Sequence, residues 1–343
     1  MTRKDTESLT GPEPLVVRSG RALGSPLRLT IAGSRPEADR SWAIVERVFD
    51  DVDVSMSRFR EDSALTALNR RSPHALVDVP RLLVSALVAA DRATRVTGGG
   101  FDPRIVAALE RIGYVGVSQR SREAAAESAN RAARAGSSPT ARPGPTARPG
   151  RVVERVGRHG PVALPVQVDL GGIGKGLALR WAARALGRDA QDRAVASAAF
   201  LLDAGGDLVA HGAPAPGEAW AVGIDNPGNQ GNPLAVLQIA ADGAVATSSI
   251  GRLRWEIEGR SVHHLIDPVT GEPGGAGLQS VTVAVVDPAW AEVWTKALFL
   301  EGAAEIANAA RRKDLAAWWV TTDGTLEMTP AARQRTTWVA AEA

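Results

Sequence analysis

An α+β fold, with mixed sheets joined by hairpins and covered by packed helices, is the architecture this sequence predicts. Three observations lead there. Short alternating or β-branched apolar runs recur along the chain. Asp-Gly and Glu-Gly pairs fall between such runs, where tight hairpins form. Helical periodicity is confined to a few longer segments and does not alternate regularly with strands, as parallel βαβ units would require.

In chain order, Leu27 to Ile31 alternates as a strand does, and Trp42 to Phe49 and Pro80 to Val96 carry apolar residues at helical spacing. Val162 to Leu170 reads as a strand that runs into a glycine-rich loop, and Leu177 to Leu186 as the helix that the loop opens. Phe200 to Leu202 and Trp220 to Ile224 read as further strands. Asp242-Gly243, Glu258-Gly259 and Asp323-Gly324 mark hairpins. Val281 to Val286 is β-branched, and Trp290 to Ala310 has a helical period.

A chain of 343 residues suits one large domain or two medium ones, taking ~150 residues per domain as the prior. Its 44% hydrophobic and 23% charged residues are those of an ordinary globular protein. No apolar run reaches the ~18 residues of a membrane span. The first residues carry charge with no apolar stretch behind them, so the sequence predicts no secretory signal and a cytoplasmic protein. With 0 Cys, disulfides, thiolate metal sites, iron–sulfur clusters and a lipoprotein anchor are excluded.

The pI of 9.4 does not point to nucleic acid. Val117 to Gly160 holds nine Arg against three Glu, a surplus of six in a chain of net charge +2, so the remainder carries −4. With one Tyr and five Phe there are also few platforms for stacking bases. The same segment contains the hexapeptide Pro-Thr-Ala-Arg-Pro-Gly twice in succession, from Pro139 to Gly150, and is poor in large apolar residues. It reads as a disordered basic insertion whose Ala-rich front, Ser121 to Ala135, forms at most a transient helix. The expected organisation is a flexible N-terminus over 1–16, a first part of the domain over 17–116, the insertion over 117–160 and a second part over 161–343.

Five runs carry chemistry. His-His-Leu-Ile-Asp-Pro-Val-Thr-Gly, 263–271, sets the titratable base His264 beside Asp267 on a turn stiffened by Pro268 and Gly271. Asp-Leu-Gly-Gly-Ile-Gly-Lys-Gly, 169–176, places glycines between a strand and a helix, where backbone N–H groups meet an anion and Lys175 adds a cation. Neither familiar phosphate motif fits it. Asp169 stands where the P-loop has its first Gly and Gly176 replaces the hydroxyl residue, while the GxGxxG spacing is absent. Ser57 to Asn69 opens with polar and aromatic residues and turns helical after Asp62 or Ser63 as a cap. Gly98 to Pro103 is a mobile glycine loop ending in Phe101, Asp102 and a rigid turn. Leu202 to Leu208 is a carboxylate–glycine turn that either caps a hairpin or lines a ligand crevice.

In this order the runs resemble the ApbE-type FAD:protein FMN transferase family, from about Ala22 to Gly302 with the insertion interrupting. Ser-x-Phe-x-x-Asp-Ser-x-Leu-x-x-Leu-Asn, Gly-Phe-Asp-Pro, Asp-Leu-Gly-Gly-Ile-x-Lys-Gly and His-x-x-Asp-Pro-x-Thr-Gly match the family's motifs. The resemblance implies an ApbE-like fold and an enzyme that binds FAD as substrate. A Thr or Ser hydroxyl of an acceptor flavoprotein would attack the FMN phosphorus and release AMP. Phe59, Gly100, Phe101, Asp102, Asp169, Lys175 and His264 would touch FAD, His264 would act as base, and Asp267 would orient the turn or the imidazole.

The resemblance also implies magnesium, held near Gly172 and by an Asp and a Thr four residues apart. Here those places hold Glu292 and Lys296. Glu can still ligate, whereas an ammonium has no lone pair. Glu292 and Lys296 are therefore expected to form an i,i+4 pair in which the ammonium stands in part for the metal's charge, and Thr295 lies about 100° round the helix. Leu23-Gly24-Ser25 replaces a common Met-Gly-Thr. The other open readings are a flavin-binding protein without transfer activity and an FAD pyrophosphatase giving FMN and AMP. No motif names the acceptor or the oligomeric state.

Overall fold

A computed structural model describes residues 14–114, 150–157, 160–188, 198–226, 231–239, 241–251, 253–257 and 259–341. The transient helix expected over Ser121 to Ala135, and most of the basic insertion, lie outside the described residues.

The chain begins with strands β1 (Leu15–Ala22) and β2 (Ser25–Ala32), followed by helices α1 (Arg35–Met56), α2 (Ala64–Asn69), α3 (Arg81–Val96) and α4 (Val106–Arg111). Two short strands, β3 (Glu154–Arg155) and β4 (Val162–Ala163), precede helix α5 (Gly174–Arg188). Then come β5 (Phe200–Ala204), β6 (Asp207–His211), β7 (Trp220–Ile224), β8 (Ala235–Ile239), β9 (Asp242–Ser249), β10 (Arg254–Ile257), β11 (Arg260–His263) and β12 (Leu278–Val285). The chain closes with α6 (Pro288–Leu300), α7 (Gly302–Arg312), β13 (Ala316–Thr321), β14 (Leu326–Met328), α8 (Pro330–Arg333) and β15 (Thr336–Val339).

The α+β expectation is met. The main sheet has eight strands in the order β1-β2-β5-β6-β9-β12-β13-β14, and every neighbouring pair is antiparallel. Side chains alternate across it, so β2 sends Leu27, Leu29 and Ile31 to the core that it shares with α1, α3 and α5. The opposite face of β6, β9, β12 and β13 is covered by a three-stranded sheet, β15-β8-β7, through Leu208, Val245, Ala284 and Trp318 against Trp220, Leu237 and Ile239. Burial on both faces explains why β13 is apolar without alternation.

Local chemistry fixes the helix starts. Ser34 and Glu37 form a reciprocal capping box on α1, Ser63 accepts from Thr66 N–H at the start of α2, and Asp287 accepts from Ala289 and Trp290 on α6.

Several expectations need correction. Only Val162–Ala163 of the strand expected over Val162 to Leu170 is paired. Pro165 offers no N–H, and the Asn69 side chain takes both backbone groups of Val168, at 2.9 and 3.0 Å. The run is apolar because Val168 and Leu170 are buried, not because it is a strand. Asp242-Gly243 is not a hairpin: β8 and β9 belong to different sheets, and Asp242 already pairs with His211. The helical period from Trp290 to Ala310 is two helices, broken where Gly302 takes φ 72° and Ala303 N–H turns to Ala276 O. Residues 150–157, read as insertion, place Val152 and Val153 in the core, and β1 starts at Leu15, inside the expected flexible terminus. No helix among the described residues is long and apolar enough to cross a membrane.

Candidate active site

The glycine loop leads directly into α5, so its amides sit at a helix N-terminus. Asp169 N–H is tied to Pro103 O at 2.8 Å, which sets this loop against the Gly98–Pro103 loop. The Asp169 carboxylate is 8% exposed, accepts from Gly171 N–H at 2.6 Å and pairs with Arg58 Nε at 2.5 Å. At Gly172 the packing is close: a Cβ would stand 3.0 Å from the Phe101 ring and 3.3 Å from Cδ and Cε of Lys296, and these side chains would have to give. Gly176 is tighter still, with Ala289 Cα and Pro288 O at 2.5 Å from its Cβ position. This close approach lets Gly176 N–H donate to Glu292 Oε2 at 2.8 Å and locks the loop onto α6.

Two lysines, Lys175 on α5 and Lys296 on α6, are each held by a buried carboxylate. Lys175 pairs with Asp207, which is 1% exposed, begins β6 and also accepts from Thr247 N–H at 3.1 Å. The turn from Leu202 to Leu208 joins β5 to β6, and its Asp207 pairs with the lysine of the loop. Lys296 Nζ stands 3.4 Å from Glu292 Oε1 and 3.3 Å from the Glu292 carbonyl, which is the expected i,i+4 pair. Burial pushes the Glu292 carboxyl above its usual range, opposed by Lys296, Lys175 and the Gly176 amide.

His264 completes the cluster. Its ring stacks on Tyr114 with centroids 6.0 Å apart and planes at 26°, and Tyr114 stacks in turn on Trp255 at 5.8 Å. Nδ1 of His264 is enclosed and has no hydrogen-bond partner among the described residues. Burial pushes the imidazole down to about 3, and Lys296, His263 and Lys175 add repulsion, so the ring is neutral. Asp267 holds the turn, accepting from Val269 N–H at 2.8 Å while Gly271 N–H returns to its carbonyl at 2.7 Å. Gly271, at φ 70°, is backed by Arg111, which donates to its carbonyl. Beside this turn, Arg58 lies 4.4 Å from the Phe59 ring centre and 5.5 Å from that of Tyr114.

Of the residues expected to meet FAD, Asp169 and Lys175 lie in the loop, and Phe59, with half its surface exposed, meets Tyr114 edge-on at 5.9 Å. Phe101 is buried behind Gly172, and Gly100 packs on Ala297, so both support the loop from within. Asp102 is held by Arg104 at 2.5 Å. Sequence reasoning missed Arg58, Tyr114 and Trp255 as site residues. Only their aromatic and cationic types hinted at it, and their meeting depends on α4 and the β10–β11 hairpin packing together.

The site does not fit a divalent ion. Both Glu292 oxygens are engaged, by Gly176 N–H and by the ammonium. Thr295 Oγ is shared between Ser248 Oγ at 2.7 Å and its own helix at Glu292 O, 2.8 Å. Among the described residues no group of three or more His, Asp or Glu is placed to hold a metal.

With this geometry in place, comparison with known proteins is informative. A family model described as the ApbE family matches residues 23–319. The chain belongs to the ApbE family. Curated relatives include the FAD:protein FMN transferase of Salmonella typhimurium, 26% identical over 93% of this chain and 87% of the relative. That of Treponema pallidum is 30% identical over 83% of this chain and 78% of the relative. Among solved structures, the ApbE protein of Thermotoga maritima superposes with TM-score 0.77 at 24% identity, covering 95% of this chain and 100% of that one. The apo flavinyl transferase ApbE of Pseudomonas stutzeri gives TM-score 0.71 at 19% identity, covering 95% and 99%. These two likenesses establish an ApbE fold.

Proposed function

We propose that this chain is an FAD:protein FMN transferase, which moves FMN from FAD to a Ser or Thr hydroxyl of an acceptor protein and releases AMP. Its membership of the ApbE family and the names of its relatives support the reaction class. The observation that carries the site assignment is a buried, neutral imidazole, His264, that feels both Lys296 and the Lys175 of the glycine loop that opens a helix.

In this reading the loop amides and Lys175 receive the diphosphate of FAD. Arg58, Phe59 and Tyr114 offer cationic and aromatic surface to the rest of the dinucleotide. The acceptor hydroxyl is a weak nucleophile until a base takes its proton, and a neutral His264 is in the right state to do so. The new bond joins the hydroxyl oxygen to the FMN phosphorus, the bond from that phosphorus to the bridging oxygen breaks, AMP leaves with that oxygen, and the hydroxyl proton rests on His264. Bound phosphate charge raises the imidazole's affinity for that proton, offsetting part of what burial removes.

The test is to incubate purified protein with FAD and candidate acceptor proteins and to follow acceptor mass and AMP. An acceptor gaining FMN with stoichiometric AMP is expected, and His264→Gln should abolish transfer while leaving FAD binding within about twofold. AMP formed equally well without any acceptor would establish hydrolysis instead, and bound FAD with no AMP would establish a binding protein.

A further inference from the structure

The geometry points to Lys296 as a built-in cation for the diphosphate, so that this chain binds and uses FAD without a divalent metal. The inference rests on the reading of the loop as the FAD site.

Four observations carry it. The Lys296 stem runs along Gly172, with Cδ and Cε 3.3 Å from the Cβ position, so its ammonium lies at the loop that faces the diphosphate. The ammonium reaches Glu292 Oε1 at 3.4 Å, a longer contact than a fully engaged ion pair, and the Lys296 side chain keeps 21% of its surface exposed while Glu292 keeps 1%. It can therefore lean toward an incoming anion without leaving the carboxylate. The side-chain oxygens of Glu292, Thr295 and Asp207 already have partners: Glu292 Oε2 has Gly176 N–H, Thr295 Oγ has Ser248 and Glu292 O, and Asp207 has Lys175 and Thr247 N–H. Finally, Lys296 and Lys175 both repel a proton on His264 and both favour the charged form of Glu292, so the two ammonium groups share one electrostatic neighbourhood.

An octahedral divalent ion in that space would need several oxygens at about 2.1 Å, and would have to displace an ammonium that Glu292 holds. Lys296 supplies one of the ion's two positive charges, with hydrogen-bond donors in place of coordination bonds. The substitution has a consequence for residue choice: Lys296→Thr removes the cation, frees Glu292 Oε1 and adds a hydroxyl one turn away, which recreates a pair of metal-compatible oxygens.

The experiment uses the full chain in two readouts, FAD affinity by calorimetry and AMP release with acceptor, each with EDTA and with magnesium. For the wild-type protein, both readouts are expected to agree within about twofold between the two conditions. Lys296→Thr should bind FAD at least tenfold more weakly in EDTA and recover most of the loss in magnesium, and Lys296→Met should lose affinity equally in both. Wild-type binding that falls tenfold or more in EDTA overturns the inference while leaving the transferase reading intact. Absence of FAD binding in both conditions overturns both. A Lys296→Met protein that binds FAD like wild type removes Lys296 from the site whatever the metal dependence, and because the wild-type comparison needs no variant, misfolding of a mutant cannot hide the answer.

Discussion

Replacing Lys175 by Met separates the two tasks the structure gives that ammonium, holding Asp207 and receiving an anion. Asp207 is 1% exposed, and without Lys175 its carboxylate keeps a single amide donor, Thr247 N–H at 3.1 Å. Stranding one member of a buried pair typically costs ~3–5 kcal/mol. The Lys175 side chain is 26% exposed, so water can partly replace it, which brings the expected loss to roughly 2–3 kcal/mol. The double variant K175M/D207N removes the stranded charge while keeping an acceptor for Thr247, and should recover at least ~1.5 kcal/mol of that loss. Urea unfolding at pH 7 measures all three proteins. FAD titration then divides the roles: affinity should fall in K175M and stay low in the double variant although its stability returns. A K175M protein within ~0.5 kcal/mol of wild type, or a double variant no more stable than the single one, would refute the argument that Asp207 depends on Lys175.

Three further outcomes follow from named contacts. Gly176→Ala should cost about 3 kcal/mol, because its Cβ meets backbone atoms of Pro288 and Ala289 at 2.5 Å and drives α5 from α6; an unfolding midpoint equal to wild type would exclude that clash. His264 titrates at about 3 when folded against an ordinary 6.5, so between those values the unfolded chain binds the extra proton and stability falls as pH falls. From pH 6.5 to 5 wild type should therefore lose about 1.6 kcal/mol more than His264→Gln, and equal losses in a denaturant series would show the imidazole to be solvated. Tyr114→Ala opens the stacked face of His264, so NMR titration of the ring should find its pKa moved up toward 6.5; an unmoved value would mean that Tyr114 contributes nothing to the desolvation.

Much of the fold was legible because local rules and tertiary demands agree. Arg81 to Val96 and Leu177 to Leu186 are helical as the spacing predicts, and hairpin turns fall at Gly259 and at Asp323-Gly324, with Gly259 and Gly324 at φ 74° and 91°. The misreadings share one cause. An apolar run records burial, not backbone geometry, so Leu164 to Leu170 looked like a strand although its backbone bonds go to Asn69 and Pro103. Asp242-Gly243 carried the local signature of a turn, but which sheet a strand joins is decided by contacts distant in sequence.

The same division holds at the site. The amino-acid order alone determined the glycine loop, the His264 turn and the i,i+4 meeting of Glu292 with Lys296, because each depends on residues within one turn or one helix. Only the tertiary structure decided that Asp207 answers Lys175, that Arg58 answers Asp169, that Tyr114 covers His264 and that the Lys296 stem lies along Gly172. Those meetings are set by the packing of α5 on α6 and of α4 on the β10–β11 hairpin, where partners far apart in the chain are chosen by shape and by the cost of burying a charge alone.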